Sequence, residues 1–437
     1  MACCWVSHQH LRTLWRPLSK LEGIFPQVIE RQESSARSHI SVHVQERYFS
    51  ASLNLKESFK LLDYQNPPRS YELSKNKKST IPVVIETGKI NNPAASEVNS
   101  NGAGSTSSAR LMLIDGTHVV YRAYYKIMAN LRHGGLQHAD GNGDWVLTIF
   151  KAISIIVEML ELLPSHVAVV FDYDGEPCCY NPNDSWQQVQ MSKGLTFRHT
   201  MYPAYKGNRI PTPDTVVQAL QYLKAALMAM SLKVIEVPGV EADDVIATLA
   251  VNGVAAGAKV RIVSPDKDFF QIICPSVRLL RIAPRGTQVV SFGIEQFAEK
   301  YGDLKPSQIV DVMALVGDPS DNIPGVDRIG PVHALRLITK FGSLENLFQN
   351  LDKVSERNIQ EALLSDNGQA FLSKDLATLR WDLPFYMVPF KTTDLLYKKP
   401  EDQGEKFVNL LRAMRAYAQG SSSKFIETQI FSLWEKY

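Results

Sequence analysis

The stretch LKVIEVPGVEADDVIATLA, residues 232–250, decides how this chain folds. LKVIEV (232–237) reads as a short strand, and the residues after it read as a helix. Ala242, Val245, Ile246, Leu249 and Ala250 fall at i, i+3, i+4, i+7 and i+8, a stripe that faces a core. Three acids, Glu241, Asp243 and Asp244, crowd the helix start, where they repel one another when ionised. Glu241 and Asp244 are one turn apart beside the stripe and are expected to point together at the rim of a sheet. Asp243 is expected on a different side of the helix.

The same alternation extends outward in both directions. LMLID (111–115), VAVVFD (167–172) and VRIVSPDKD (260–268) are apolar runs that end in acids. WVLTIFKAISIIVEMLELL (145–163), with Asp144 placed to cap it, and VVQALQYLKAALMAM (216–230) have helical pattern and length. Fully apolar strands alternating with helices predict an α/β fold: a central, mostly parallel sheet covered on both faces. In such a sheet ligands bind at the carboxyl ends of the strands. Asp115, Asp172, Asp266 and Asp268 are expected there, joined by the acids of the 241–244 segment. Taken singly, an acid at a helix start or after a strand is an ordinary dipole or turn residue. Together they cannot all stay ionised without a counter-charge. With no His or Cys recurring among them, the oxygen-only set predicts Mg²⁺ or Mn²⁺. Two such ions can clamp both oxygens of a phosphodiester displacement.

At 437 residues the chain has room for two or three domains, and 45% hydrophobic with 21% charged residues is an ordinary globular composition. A net charge of +2 excludes a globally basic nucleic-acid binder, so any such surface must be local. Cys3, Cys4, Cys178, Cys179 and Cys274 fit neither a zinc site nor a disulfide framework, which points to a reducing compartment. No run approaches a membrane span. Residues 1–50 hold six Lys/Arg among many Ser, and ERYFSAS (46–52) looks like a processing site. That predicts an organelle transit peptide over 1–52, mitochondrial or alternatively plastid. Residues 53–109 have linker composition.

From Ser185 to Pro213 there is no acid. Lys193, Arg198, Lys206 and Arg209 are basic, with Tyr202 and Tyr205 between them, a pattern suited to phosphates and splayed bases. Arg122, in VYRAYY, is a further phosphate-contact candidate. GDPSDNIPGVDRIGPVHALRLITKFGSLENLF (317–348) reads as helix, glycine-punctuated hairpin, helix. Gly325 and Gly330 permit tight turns whose backbone N–H groups can grip a phosphate.

LMLIDGTHVVYRAYY, VVFD, TFRHTMYPAYKGNR, GVEADDVIATLA, VSPDKDFFQII and LVGDPSDNIPGVDRIG occur in this order. Over roughly 111–400 the chain thereby resembles the 5′-nuclease (5′→3′ exonuclease) domain of bacterial DNA polymerase I, related to phage 5′-nucleases and flap endonucleases. The resemblance implies a PIN-like catalytic domain over 110–300 with a helical arch at 177–215. It implies a helix–three-turn–helix subdomain at 301–400, leaving a helical tail at 401–437. It implies two metal ions, with Asp115, Glu241, Asp243, Asp244, Asp266, Asp268, Asp318 and Asp321 as direct or water-mediated ligands and Asp172 nearby. Asp318 and Asp321 enter through the resemblance only, since GDPSDN by itself reads as a turn with a helix cap. Lys206 and Arg209 match the arch residues that contact the scissile phosphate, and the 325–330 hairpin (Gly325, Val326, Arg328, Ile329, Gly330) matches the duplex anchor, often with a K⁺ ion. Two positions depart from the family pattern, Arg328 for its usual Gly and Val332 for its usual Lys. Residues 177–195 look like an insertion before the arch. The implied activity is cleavage of DNA with a 5′ flap, nick or RNA primer, by a stand-alone monomeric nuclease beside an organellar DNA polymerase. An RNA-cleaving nuclease and a non-catalytic nucleic-acid-binding protein are the alternatives.

Overall fold

The computed structural model describes residues 109–134, 143–173, 195–283, 288–366, 368–418 and 423–437. The expected transit peptide (1–52), the linker (53–109) up to residue 108, and the expected insertion (177–195) up to residue 194, with Lys193, lie outside the described residues. All described residues belong to one compact unit, 76–437.

The strands are β1 (Arg110–Asp115), β2 (His166–Phe171), β3 (Lys233–Glu236), β4 (Lys259–Val263), β5 (Val277–Ile282) and β6 (Val289–Phe292). The helices, in chain order, are α1 (Gly116–Arg132), α2 (Asp144–Leu160), α3 (Phe197–Met201), α4 (Asp214–Ala229), α5 (Ala242–Ala255), α6 (Ile294–Tyr301), α7 (Ile309–Val316), α8 (Pro331–Phe341), α9 (Leu344–Gln349), α10 (Arg357–Leu364), α11 (Gln369–Ala377), α12 (Glu405–Arg415) and α13 (Lys424–Trp434). The six strands form one sheet in the order β3-β2-β1-β4-β5-β6. Every pairing is parallel except the last, the β5–β6 hairpin. The α/β reading of the sequence holds.

Period-two alternation explains the two cores. On β1, Leu111 and Leu113 face one side, with Ala168, Val170, Val260 and Ile262 beside them, and pack against Val245, Ile246 and Leu249 of α5. Met112 and Ile114 face the other side, with Val167, Val169 and Val263, beneath α1, α2 and α4. Helices α7–α11 extend the first core. Helices α12 and α13 return to the second, where Phe407, Leu411, Ile430 and Trp434 are buried with α2 and α4. That sandwiching explains why α2 is apolar nearly all round. Its N-cap is Gly143, with Asp144 as the first helical residue; the expected Asp144 side-chain cap is not formed. No helix among the described residues is long and apolar enough to cross a membrane.

Parallel strands β1, β2 and β4 end at the same rim, so Asp115, Asp172 and the 264–268 loop leave the sheet side by side. α5 starts at that rim because Asp172 Oδ1 accepts the backbone N–H of Ala242, 2.9 Å away, satisfying one of its orphan donors.

Candidate active site

Asp115 is the last residue of β1 and the N-cap of α1. Its Oδ1 accepts His118 N–H at 2.8 Å and its Oδ2 accepts the Ser264 hydroxyl at 2.9 Å. Burial pushes its carboxyl up to about 7, with Asp172 and Asp266 adding repulsion against these hydrogen bonds. Asp243 is also raised, by burial first and then by Asp115, Asp266 and Asp172. Asp268 is raised by burial and by Asp266, and its Oδ1 is buried without a hydrogen-bond partner. Asp266 accepts the Asp268 backbone N–H at 3.0 Å. These five acids gather at the rim with no direct ion pair among the described residues, although Lys206 and Lys267 stand near enough to favour ionisation of Asp243 and Asp268.

The other acids are already neutralised. Glu241 has Lys206 Nζ at 3.0 Å and Arg198 at 3.4 Å, and accepts the Tyr205 hydroxyl at 3.2 Å. Burial works to raise Glu241, but Lys206 and Arg198 outweigh it and hold the carboxyl at about 2. Asp318 pairs with Lys267 at 3.1 Å, which outweighs burial and lowers it. Asp321 pairs with Arg209 at 2.5 Å and Lys206 at 3.7 Å. Lys267, inside the acidic SPDKD run, was not singled out from the sequence; a lone cation among clustered acids was the available signal.

Asp244 does not belong to this group. It is fully buried and held by a bidentate pair with Arg198, at 2.6 and 2.9 Å. Glu241 and Asp244 do point together, onto one Arg198 guanidinium nitrogen at 3.4 and 2.6 Å, but Arg198 neutralises the pair, and Asp243 is the acid that joins the cluster. Arg198 is only 2% exposed and cannot meet DNA. Tyr205 is buried with its hydroxyl on Glu241 and Asp321, so it is no stacking platform, and Tyr202 packs against the core. Arg122 donates to the Ala283 carbonyl at the end of β5.

The 202–209 loop is stapled to the GDPSDN turn. Lys206 N–H donates to Asp321 O (2.9 Å), Asn208 to Pro319 O (2.6 Å) and Asn322 to Ala204 O (2.6 Å). Lys206 and Asn322 both adopt left-handed backbone, φ 53° and 57°, the kind of strain that gathers at functional sites. Lys206 and Arg209, with His199, Thr196, Asp172 and Glu241, line a cleft of about 230 Å³.

In the hairpin, Gly325 has φ 69°, and a Cβ there would lie 2.4 Å from Gly317 N. Its N–H donates to Ser373 Oγ, while those of Val326 and Ile329 donate to Leu315 O and Val326 O. The Val326 and Ile329 side chains are buried, so these three residues build the turn instead of gripping phosphate. Gly330, by contrast, is extended (φ −86°), with open space where a Cβ would be. It caps α8, whose start carries Pro331 and the exposed Val332. Arg328 stands at φ 62°, so its position is a left-handed one where the family's Gly is unstrained, and its side chain is exposed beside Asp327.

Residues 179–302 match the family model "5'-3' exonuclease, N-terminal resolvase-like domain", and 304–403 match "5'-3' exonuclease, C-terminal SAM fold", together just over half of the chain. The chain belongs to the 5′-3′ exonuclease family. It is 38% identical over 276 residues to a thermostable DNA polymerase I of Thermus thermophilus, covering 63% of this chain and 29% of that protein. It is 33% identical over 306 residues to DNA polymerase I of Bacillus caldotenax, covering 70% of this chain and 31% of that one. The chain thus spans less than a third of the length of these relatives. Among solved structures, the bacteriophage T5 5′-exonuclease with bound divalent metal ions (zinc) is 20% identical with TM-score 0.47, over 71% of this chain and all of that one. The catalytic core of Rad2 in complex with DNA substrate is 15% identical with TM-score 0.47, over 75% of this chain and 92% of that one.

The exonuclease-family site suits divalent cations by its donor chemistry. The acids offer only oxygen, three of them resist ionisation because they are buried beside other acids, and Asp268 carries an unpartnered buried oxygen. Among the described residues no three of these side chains close on a common point, so the arrangement is a neighbourhood of ligands and not a formed shell.

Proposed function

We propose that this chain is a divalent-metal-dependent 5′→3′ exonuclease and flap endonuclease, hydrolysing phosphodiester bonds in DNA. One observation carries the reading: five acids from separate segments, none in a direct ion pair among the described residues, meet at one sheet rim beside the Lys206–Arg209 loop. A protein that only bound nucleic acid would gain nothing from acids that repel phosphate.

Asp115, Asp243, Asp266 and Asp268, with Glu241, Asp318 and Asp321 once their cations move, would hold the two Mg²⁺ or Mn²⁺ ions. When bound, such ions supply Lewis acidity that lowers the pKa of water and offsets charge on the phosphate. Lys206 and Arg209 exchange carboxylate for phosphate oxygens and stabilise the charge that grows on them. The exposed start of α8, with Arg328 and Gly330, meets a duplex phosphate and sets which bond reaches the rim. A K⁺ ion at the 325–330 hairpin belongs to the same reading. So does an organellar role, in the mitochondrion or alternatively the plastid, supported by the Arg-rich and Ser-rich N-terminal composition.

Asp266→Ala tests the assignment. In Mg²⁺ it should abolish cleavage of a 5′-flap duplex while binding of that duplex, read by anisotropy, persists. Undiminished cleavage by the folded variant refutes the site.

A further inference from the structure

Six backbone polar groups of residues 376–380, the end of α11 and the three residues after it, are bound by the side chains of Arg198, Asp244, Thr248 and Gln271. Leu376 O and Thr378 O accept Arg198 Nε and Nη2 at 2.8 and 2.9 Å. Ala377 O accepts Gln271 Nε2 at 2.8 Å, and Leu379 N–H donates to Gln271 Oε1 at 3.2 Å. Arg380 N–H donates to Asp244 Oδ1 at 2.8 Å, and Arg380 O accepts the Thr248 hydroxyl at 3.2 Å. Arg198 and Asp244 are themselves joined in the buried bidentate pair. Asp244 follows Asp243 in the first turn of α5, and Gln271 lies in the turn that begins at Asp268.

The other end of this rail reaches the hairpin. On α11, Ser373 Oγ accepts Gly325 N–H at 3.1 Å, and Gln369 Nε2 donates to Gly325 O at 2.6 Å. One helix and its extension therefore connect the Gly325 turn to both acid-bearing turns.

We propose that Arg198, Asp244 and Gln271 are positioning residues that latch the Asp243 turn and the Asp268 turn onto the 376–380 backbone, fixing the two turns at the rim where metal ions would be held. This rests on the nuclease reading above. None of the three touches a reacting atom. Side chains that orient ligands in this way typically affect metal affinity about 10–100-fold. Arg198 is suited to the task because its planar fork binds the carboxylate bidentately and still has donors for two carbonyls, which a lysine ammonium cannot reproduce.

The test compares Gln271→Leu and Arg198→Lys with the wild-type chain. Mn²⁺ affinity is measured by electron paramagnetic resonance without DNA, flap-duplex affinity by anisotropy in EDTA, and folding by circular dichroism melts. The expected result is a roughly tenfold or greater loss of Mn²⁺ affinity, with duplex affinity within about twofold of wild type and cooperative melting retained. Unchanged Mn²⁺ affinity in a folded variant overturns the inference. So does a parallel loss of Mn²⁺ and duplex affinity that tracks the melting temperature, because that marks a purely structural latch. If Arg198→Lys does not fold, Gln271→Leu decides alone, since it removes two hydrogen bonds at similar volume and leaves the buried charges paired. Failure of the wild-type chain to bind Mn²⁺ at all refutes the nuclease reading and the inference with it.

Discussion

Lys206 Nζ stands 3.0 Å from a Glu241 carboxylate oxygen, and Lys206 holds this place from a left-handed backbone position. A cation that is to meet a phosphate during cleavage is thus stored on an acid of the same site. Lys206→Met is expected to lower single-turnover flap cleavage by about 10²–10³-fold, the usual cost of one lost charge-stabilising donor. The pair also has a pH signature. Glu241 is held at about 2 against its ordinary 4.5, so its contribution to stability is present above about 4.5 and lost as pH falls towards 2. Removing Lys206 should move the acid-unfolding midpoint to higher pH, which fluorescence-monitored titration reads directly.

Asp115 has the opposite sign. Its carboxyl is raised from 3.8 to about 7, so the metal-free fold is most stable with Asp115 protonated and loses stability as pH rises through that window. Asp115→Asn keeps an N-cap acceptor for His118 N–H but cannot ionise. In EDTA at pH 8 it should melt higher than wild type, by about 2–4 °C for each kcal/mol of relieved repulsion, with the advantage vanishing near pH 4. The same variant should show no Mg²⁺-dependent cleavage. A variant no more stable than wild type at pH 8 would remove the repulsion argument for this acid.

At the start of α8, Val332 is 77% exposed beside the open Gly330. Val332→Lys should tighten flap-duplex binding at low salt and steepen the salt dependence by about one counterion. Anisotropy titrations between low and moderate salt check both. An unchanged slope would place the duplex phosphate elsewhere.

Gly404 has φ 85°, and a Cβ there would meet the Trp434 ring at 2.3 Å. Gly404→Ala combines left-handed strain with overpacking against a rigid ring and should cost about 2–4 kcal/mol in denaturant unfolding. The loss would show that α12 and α13 are integral to the second core and not an appendage.

The alternation of apolar strands with helices, and the acids that end β1 and β2, are legible in the sequence because both follow from local periodicity. What neutralises the acids of the 241–244 segment is not. Glu241 is the N-cap of α5 and Asp244 its third residue, and both reach one Arg198 guanidinium nitrogen, at 3.4 and 2.6 Å. The one-turn spacing pairs the two acids correctly, but Arg198, remote in the chain, takes Asp244 up and leaves Asp243 to join the cluster. In the basic stretch, Lys206 and Arg209 do line the cleft, but two other members do not. Its residue types suit DNA, yet Arg198 and Tyr205 are taken up by partners 36 to 180 positions away.

What the sequence alone determined is the sheet, its two apolar faces and the rim where acids gather, because these depend on side-chain period within single elements. Tertiary structure alone decided which acids lack a direct ion pair and which cations neutralise the rest. Charge pairing in a buried site depends on distances between segments remote in the chain, and burial multiplies the energy of each pair.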